Sequence, residues 1–453
     1  MLPILTRLLS TDQYGTLDVL STLGSATISI LTIGLDVAIV RMVADRPPGA
    51  RRQGLFGSYY LLAAVVSIPV GLSMIVLAPW ASSVLFESDE LALAVRVVGA
   101  IVIAGSFEVV ALNVMRSLDR ARAYAWLSAG VLAVHALLAV LLLTRWRQDA
   151  TAVLVALALS LAGGAVVGAV ALRRVIAGRP NLDSIRALLA LGLPAAPAVA
   201  LTFFADFLNR AILLAAGGAT QVAFLSVSLR FGSVAALVVV GFQLAWQPRA
   251  YRIAKHPSGS IVLGNEARRI LALIAATAFA IGLTAPELVP LVAGQAYDSA
   301  VPVVGLALVA TIGTALFLLG STASIIDGTT RHLSMATAAG VIVGLGANWI
   351  LAPRMGALGT AAAAALGQWT AAVTAVALSR ERRRVEASWS RIFALSIGTS
   401  AGILVATMVP ADMSNLGRLI SIVGFVALLG LEGTAGEVRS AVNSWVRALW
   451  NRT

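Results

Sequence analysis

Several charged side chains lie inside or at the ends of long apolar segments, where they are costly unless they face a partner, a polar ligand or water. Arginine in such a position can bind anionic oxygens, because its planar guanidinium donates paired hydrogen bonds and stays protonated. The candidate anion-binding residues are Arg7, Arg41, Arg116, Arg210 and Arg230. The candidate carboxylates, which would hold a coupling ion or form ion pairs, are Asp36, Glu108 and Asp206.

These residues also have structural interpretations. Arg41 and Arg116 border loops, where an arginine commonly anchors the orientation of a helix. Arg210 and Arg230 lie farther from helix ends and must face protein or water. Asp206 precedes Arg210 by one helical turn, so the two side chains share a face and can pair. For the acids, structural ion pairs are the alternative to a coupling site.

The composition shows that the main solvent of this chain is lipid. Of the 453 residues, 59% are hydrophobic and only 12% are charged, and the mean hydropathy is +0.91. Apolar runs recur at lengths that suit a hydrocarbon core, which needs roughly 20 helical residues. The pattern predicts an all-α polytopic membrane protein with thirteen visible spans: 15–44, 54–80, 92–115, 123–143, 150–172, 188–216, 220–247, 268–293, 299–326, 332–352, 357–378, 390–410 and 416–433.

The inventory of reactive residues excludes several functions. The chain has no cysteine and only three histidines, which are far apart, so we expect neither thiol chemistry nor a metal site nor a bound cofactor. A Walker-type phosphate loop is absent from the sequence. The net charge of +12 does not indicate nucleic acid, because the basic residues fall in alternate short loops.

The distribution of basic residues predicts the topology. One alternate set of connections, including the C-terminal tail, holds 25 of the 33 lysines and arginines and is therefore expected to be cytoplasmic. The connections on the opposite side are short and sparsely basic. None of them has room for a catalytic domain, so we expect a protein that is not an enzyme.

Arginine spacing indicates an internal duplication. The interval from Arg122 to Arg145 equals that from Arg331 to Arg354, and the following intervals, to Arg173 and to Arg382, are also equal. The two copies are six helices apart, so they have the same orientation. This predicts two parallel six-helix lobes, as in one class of transporter repeats. The predicted domains are an N-terminal lobe (1–180), a C-terminal lobe (181–388), an extra helix pair (389–435) and a cytoplasmic amphipathic tail (436–453).

Four motifs in order resemble the polysaccharide transporter or O-antigen flippase family, within the multidrug/oligosaccharidyl-lipid/polysaccharide exporter superfamily. The resemblance covers nearly the whole chain. The motifs are Pro3 to Ser10 with Gln13 to Gly15 and Gly34 to Arg41, then Gly192 to Pro197, then Gly294 to Pro302, and finally Asn348 to Ala362.

The resemblance implies a flippase of the bacterial cytoplasmic membrane that translocates a polyprenyl-pyrophosphate-linked oligosaccharide by alternating access, for surface polysaccharide synthesis. The implied partners are membrane lipid, this lipid-linked cargo, a polysaccharide polymerase and glycosyltransferases. The arginines named above would bind the pyrophosphate, and Arg7 matches an arginine that is typical of the family. The alternatives are a multidrug or cation antiporter of the same superfamily and, less favoured, a membrane glycosyltransferase or polymerase.

The sequence departs from the family pattern twice. The family usually places an Asp-Arg pair in its seventh helix, whereas this chain has Asn209 and Arg210, with Asp206 one turn earlier. The family also carries a full first helix that ends near the position of Arg7, and only Met1 to Ser10 precede the next helix here. We expect this first helix to be truncated by a misassigned start, so that the fold has thirteen to fourteen helices.

Overall fold

The computed structural model describes residues 1–32, 34–44, 50–193, 196–253, 259–322, 324, 330–380, 389–409 and 414–431. The predicted tail, 436–453, lies outside these residues. The described part is almost entirely helical, which confirms the all-α fold class. Its helices are α1 (Leu2–Leu8), α2 (Thr11–Thr32), α3 (Leu35–Ala44), α4 (Ala50–Val76), α5 (Ala78–Phe86), α6 (Ala92–Ser117), α7 (Ala121–Arg145), α8 (Ala150–Ile176), α9 (Leu182–Gly192), α10 (Ala196–Ile253), α11 (Gly259–Ala293), a 3-10 helix (Gln295–Ala300), α12 (Val301–Gly320), α13 (Thr330–Arg380), α14 (Trp389–Met408) and α15 (Ser414–Leu431).

Nine helices within the described ranges are long and apolar enough to cross a membrane, so the protein is a multi-pass membrane protein. Two of them, α10 and α13, have enough residues for two crossings each. Both are interrupted by a glycine in a non-helical conformation, Gly218 in α10 and Gly356 in α13. These interruptions fall where the sequence predicts a connection between two spans, and each of the thirteen predicted segments contains helix.

Three of the predicted segments cover parts of two helices: 15–44, 54–80 and 188–216, the last of which runs from the end of α9 into the start of α10. The segment 15–44 divides into α2 and α3, because Gly34 has a φ of +73° and a Cβ there would overlap the backbone of Gly192. The segment 54–80 is divided because α4 ends at Val76, and α5 begins at Ala78 with a proline in its first turn. Proline donates no backbone hydrogen bond and clashes with the preceding turn, so it favours a helix start there.

The chain divides into two compact units, Met1–Ala223 and Phe224–Thr453. The core of the first unit joins α3, α4, α6, α7, α8 and α9, and its largest fully buried side chains include Tyr59 and Phe56. Asn113 of α6 donates a buried hydrogen bond of 3.2 Å to the Tyr59 hydroxyl of α4. The predicted boundary between the two lobes, at residue 180, rests on the internal repeat. The two compact units do not test it, so it stays a prediction.

The second unit has its own core, formed by α10, α11, α12, α13 and α14. The C-terminal pair, α14 and α15, is attached to it by close contacts. Gly282 of α11 packs against Ile403 of α14, and the rings of Phe279 and Phe425 stack with their centroids 4.3 Å apart. The pair predicted at 389–435 is therefore packed on α11.

Candidate functional site

A buried ion cluster lies in the first unit, around Arg210 of α10. Only 10% of its side chain is exposed. Its Nε donates a hydrogen bond of 2.7 Å to a carboxylate oxygen of Asp18, which is on α2 and is equally buried. Its Nη1 donates to Asp206, at 2.6 Å to the carboxylate and 3.1 Å to the backbone carbonyl. The i,i+4 pair predicted between Asp206 and Arg210 is therefore present.

The cluster contains two carboxylates and one guanidinium. Asp18 is enclosed by protein, whereas the side chain of Asp206 is 55% exposed. Arg210 is thus oriented by two partners, one inside and one at an accessible surface. Such pairing satisfies an arginine within a membrane segment, and it occupies the Nε and Nη1 donors that an anion would otherwise take.

A close contact between α2 and α10 holds the ion cluster together. Gly15 lies three residues before Asp18, so both are on one face of α2. A Cβ at Gly15 would overlap the carbonyl oxygen of Ala219, so only glycine allows this approach. Ala219 directly follows the interrupting Gly218, and this close approach brings the Asp18 carboxylate within reach of Arg210.

Sequence reasoning missed Asp18 as a member of this site. The signal was available, because Asp18 is an acid inside a predicted membrane segment, and such a residue is a functional candidate by default. Its partner lies 192 residues away along the chain. The spacing of residues does not reveal a contact at that separation.

The other predicted arginines occupy exposed positions. Arg7 is on α1, Arg41 on α3, Arg116 on α6 and Arg230 in the second half of α10, which belongs to the second unit. The protein does not cover these side chains, so each of them is accessible to a ligand, to water or to lipid headgroups. Their proposed role in binding an anion stays a prediction.

Two of the three predicted carboxylates can be placed. Asp206 belongs to the ion cluster, whereas the side chain of Asp36 lies outside what the structure describes. Glu108 is 7% exposed on α6 and packs against Gly164 of α8. Among the described residues it takes part in no hydrogen bond or ion pair. An intramembrane acid of this kind remains a candidate for binding a coupling ion.

No group of three or more potential metal ligands is found in the part of the chain that the structure describes. The chemistry that the arrangement supports is electrostatic, with an arginine and two acids held within a membrane-spanning helical unit. Such a site can bind, orient or exchange a charged group.

The fold resembles solved transporters. It superposes on "Lipid II flippase MurJ, inward closed conformation" with a TM-score of 0.70 and 9% identity, over 95% of this chain and 96% of that one. An inward-facing multidrug resistance MATE family transporter of the MOP superfamily gives 0.66 with 18% identity, over 84% and 94%. A MOP superfamily transporter from Pyrococcus furiosus gives 0.56 with 17% identity, over 84% and 90%. At these identities the likeness establishes the fold.

No curated protein sequence matches the chain. The family model described as "Polysaccharide biosynthesis protein" matches residues 1–253, more than half of the 453 residues. This confirms the resemblance that the sequence motifs indicated. The chain therefore belongs to the polysaccharide biosynthesis protein family and has the all-helical fold of MOP superfamily transporters.

Proposed function

We propose that this protein is a flippase that moves a polyprenyl-pyrophosphate-linked oligosaccharide across the bacterial cytoplasmic membrane by alternating access, for surface polysaccharide synthesis. The observation that carries the proposal is the combination of a transporter fold with membership of a polysaccharide biosynthesis family. A transporter in such a pathway handles a sugar intermediate. Anchoring that intermediate to a lipid keeps it at the membrane while its polar head crosses.

The chemistry of the cargo accounts for arginines in a membrane protein with few charges. A pyrophosphate and sugar hydroxyls are expensive to move through hydrocarbon, so a flippase needs a hydrated path with hydrogen-bond donors and positive charge. Arginine meets both needs through its paired donors and permanent charge. Arg230, Arg7, Arg41 and Arg116 are exposed and accessible for this role.

In this proposal Arg210 has a second role. Arg210 is already bound by Asp18 and Asp206. During the transport cycle it releases and rebinds these two carboxylates. Glu108 and Asp206 are the candidates for the coupling ion. The C-terminus is cytoplasmic, and glycosyltransferases and a polymerase act before and after the transporter.

The test is transport by the purified protein. The full chain is reconstituted into vesicles that carry a fluorescent polyprenyl-pyrophosphate oligosaccharide, and an impermeant oxidant reports the sugar exposed outside. We expect exposure to exceed that of protein-free vesicles and of vesicles with a denatured sample. An equal exposure in all three samples would refute the proposal.

The same vesicles test the antiporter alternative. A proton gradient that is acidic outside, or a sodium gradient directed inward, is imposed, and the efflux of cationic dyes is measured in parallel with the movement of the lipid-linked sugar. A flippase moves the sugar and leaves the dyes in place. Dye efflux without sugar movement would identify a multidrug or cation antiporter instead.

A further inference from the structure

The first unit has an apolar groove of about 390 Å³ on the face formed by α7 and α8. Its walls include Leu127 and Val134 from α7 and Val167 from α8, and Ser160 is the one hydroxyl among the lining residues. Val167 is 59% exposed, so the groove opens away from the protein core. A groove of this composition on a membrane-spanning surface accepts a hydrocarbon chain.

Glycines create the space in this groove. A Cβ at Gly130 or Gly163 would meet no atom within 4 Å, so both positions border open volume. Gly164, by contrast, packs against Val131 and Glu108 and forms part of the floor. The groove is thus open beside Gly130 of α7 and Gly163 of α8.

One end of the groove is strongly basic. Arg122 lies one turn before Trp126 of the groove wall, and Arg174 lies one turn after Ala171, so both arginines continue the groove-lining faces. The exposed arginines at this end of α6, α7 and α8 are Arg116, Arg120, Arg122, Arg173 and Arg174. Asp119 is the sole acid in 109–148, and the sequence 150–182 has none.

Exposed aromatic residues lie near the basic end of the groove. Trp126 is 78% exposed, and Tyr124 beside it is 39% exposed. Tryptophan and tyrosine in such positions favour the boundary between hydrocarbon and headgroups. The groove therefore starts at the membrane surface among arginines and runs into the hydrocarbon region.

We infer that this groove is a binding site for an anionic phospholipid of the leaflet that faces the basic loops. One acyl chain lies in the groove between α7 and α8, and the phosphate contacts Arg122, Arg173 and Arg174. Basic pockets between membrane helices recognise anionic headgroups in this way. The occupant is a resident lipid, whose headgroup stays at the surface.

The observations favour a phospholipid over the proposed cargo. The groove offers almost no polar group along its length, so a sugar head has no path through it. The five exposed arginines at one end of α6, α7 and α8 lie next to the end of the groove that Trp126 and Ala171 line. This distribution suits a molecule with a fixed headgroup position and an immobilised chain, whereas a cargo must move its head across the membrane.

The experiment uses the full chain in a nonionic detergent, titrated with phosphatidylglycerol or with phosphatidylcholine of the same acyl chains, and native mass spectrometry to measure the first bound lipid. We expect phosphatidylglycerol to bind more tightly. Each arginine near a membrane surface contributes a factor of about five in affinity for anionic lipid. The R173Q/R174Q variant should therefore weaken phosphatidylglycerol binding about 25-fold.

Matched variants separate this site from general lipid adhesion. R96Q/R145Q removes two exposed arginines at the opposite ends of α6 and α7, and it should retain the affinity. G130L/G163L fills the groove and should abolish binding of either lipid in the first site. G241L/G346L makes the same change at two open glycines elsewhere and should have no effect.

Three results would overturn the inference. The first is equal affinity for the two lipids, and the second is unchanged binding in G130L/G163L. The third is displacement of phosphatidylglycerol by an equimolar polyprenyl pyrophosphate, which would assign the groove to the carrier lipid. None of these measurements involves transport, so they are independent of the proposed flippase activity.

Discussion

At the scale of single residues, the buried cluster of Asp18, Asp206 and Arg210 has two unequal pairs. The pair with Asp18 is enclosed, so removing Arg210 would take the guanidinium away from a buried carboxylate. In the pair with Asp206, the Asp206 side chain is 55% exposed, so water can solvate this carboxylate in place of the guanidinium. Ion pairs at exposed positions contribute about 0 to 1 kcal/mol, whereas breaking a buried pair costs about 3 to 5 kcal/mol.

We therefore expect Arg210→Ala to lower the free energy of unfolding by about 3 to 5 kcal/mol, and Asp206→Ala by less than about 1 kcal/mol. The double variant D18A/R210A should be less destabilised than the sum of its single variants, because neither charge of the enclosed Asp18–Arg210 pair remains. Thermal unfolding in detergent measures each variant against the unmodified protein. Additive losses for D18A and R210A would mean that the two residues do not interact.

Arg230 provides a separate test of cargo binding, because it is exposed and its replacement removes no buried charge. We expect Arg230→Ala to leave the unfolding midpoint unchanged and to abolish surface polysaccharide in a strain that depends on this gene. Arg354→Ala, at another exposed arginine, is the matched control and should retain the polysaccharide. Normal polysaccharide in R230A would remove Arg230 from the cargo site.

At the scale of helices, two glycines determine the position of α2. Gly15 lets α2 approach Ala219 of α10, and the chain breaks at Gly34, where it meets Gly192. The break at Gly34 requires a positive φ of +73°, which glycine adopts without strain. The two contacts are at opposite ends of α2 and together set the position of Asp18.

Gly15→Ala should therefore act on the ion cluster through the helix. The added Cβ would overlap the Ala219 carbonyl, so α2 must move, at a cost of about 1 to 3 kcal/mol or more. Thermal unfolding measures the loss, and Gly163→Ala, which meets no atom within 4 Å, is the neutral control. If α2 moves away from Arg210, the effects of G15A and D18A will be less than additive. Fully additive effects would contradict this coupling.

At the scale of the whole molecule, the described helices account for every predicted span. The positive-inside pattern predicts that the basic connections are cytoplasmic. Since the chain has no cysteine, the orientation can be measured with single introduced thiols and no background labelling.

We expect Gln148→Cys, before α8, to react with an impermeant maleimide applied to intact cells. Ala177→Cys, after α8, should react only once the membrane is permeabilised. Both positions are exposed and lie at opposite ends of one helix, so they control for each other. Labelling of Ala177→Cys in intact cells would reverse the predicted topology.

Local properties of the chain are enough to predict the fold class, the approximate span boundaries and the family. The hydrophobicity of a segment and the placement of arginines in its flanking loops are such properties, and each is a strong signal because lipid penalises exceptions severely. The Asp206–Arg210 pair was also predictable, since helical geometry brings residues four apart onto one face.

Contacts between distant segments determine the rest. From the sequence Arg210 is a candidate for binding cargo, yet it is enclosed by Asp18, which lies on a helix far earlier in the chain. The break of α2 at Gly34 likewise depends on the nearby Gly192. The groove between α7 and α8 is lined by glycines of both helices. That these glycines line one groove follows from packing in three dimensions, which no local pattern encodes.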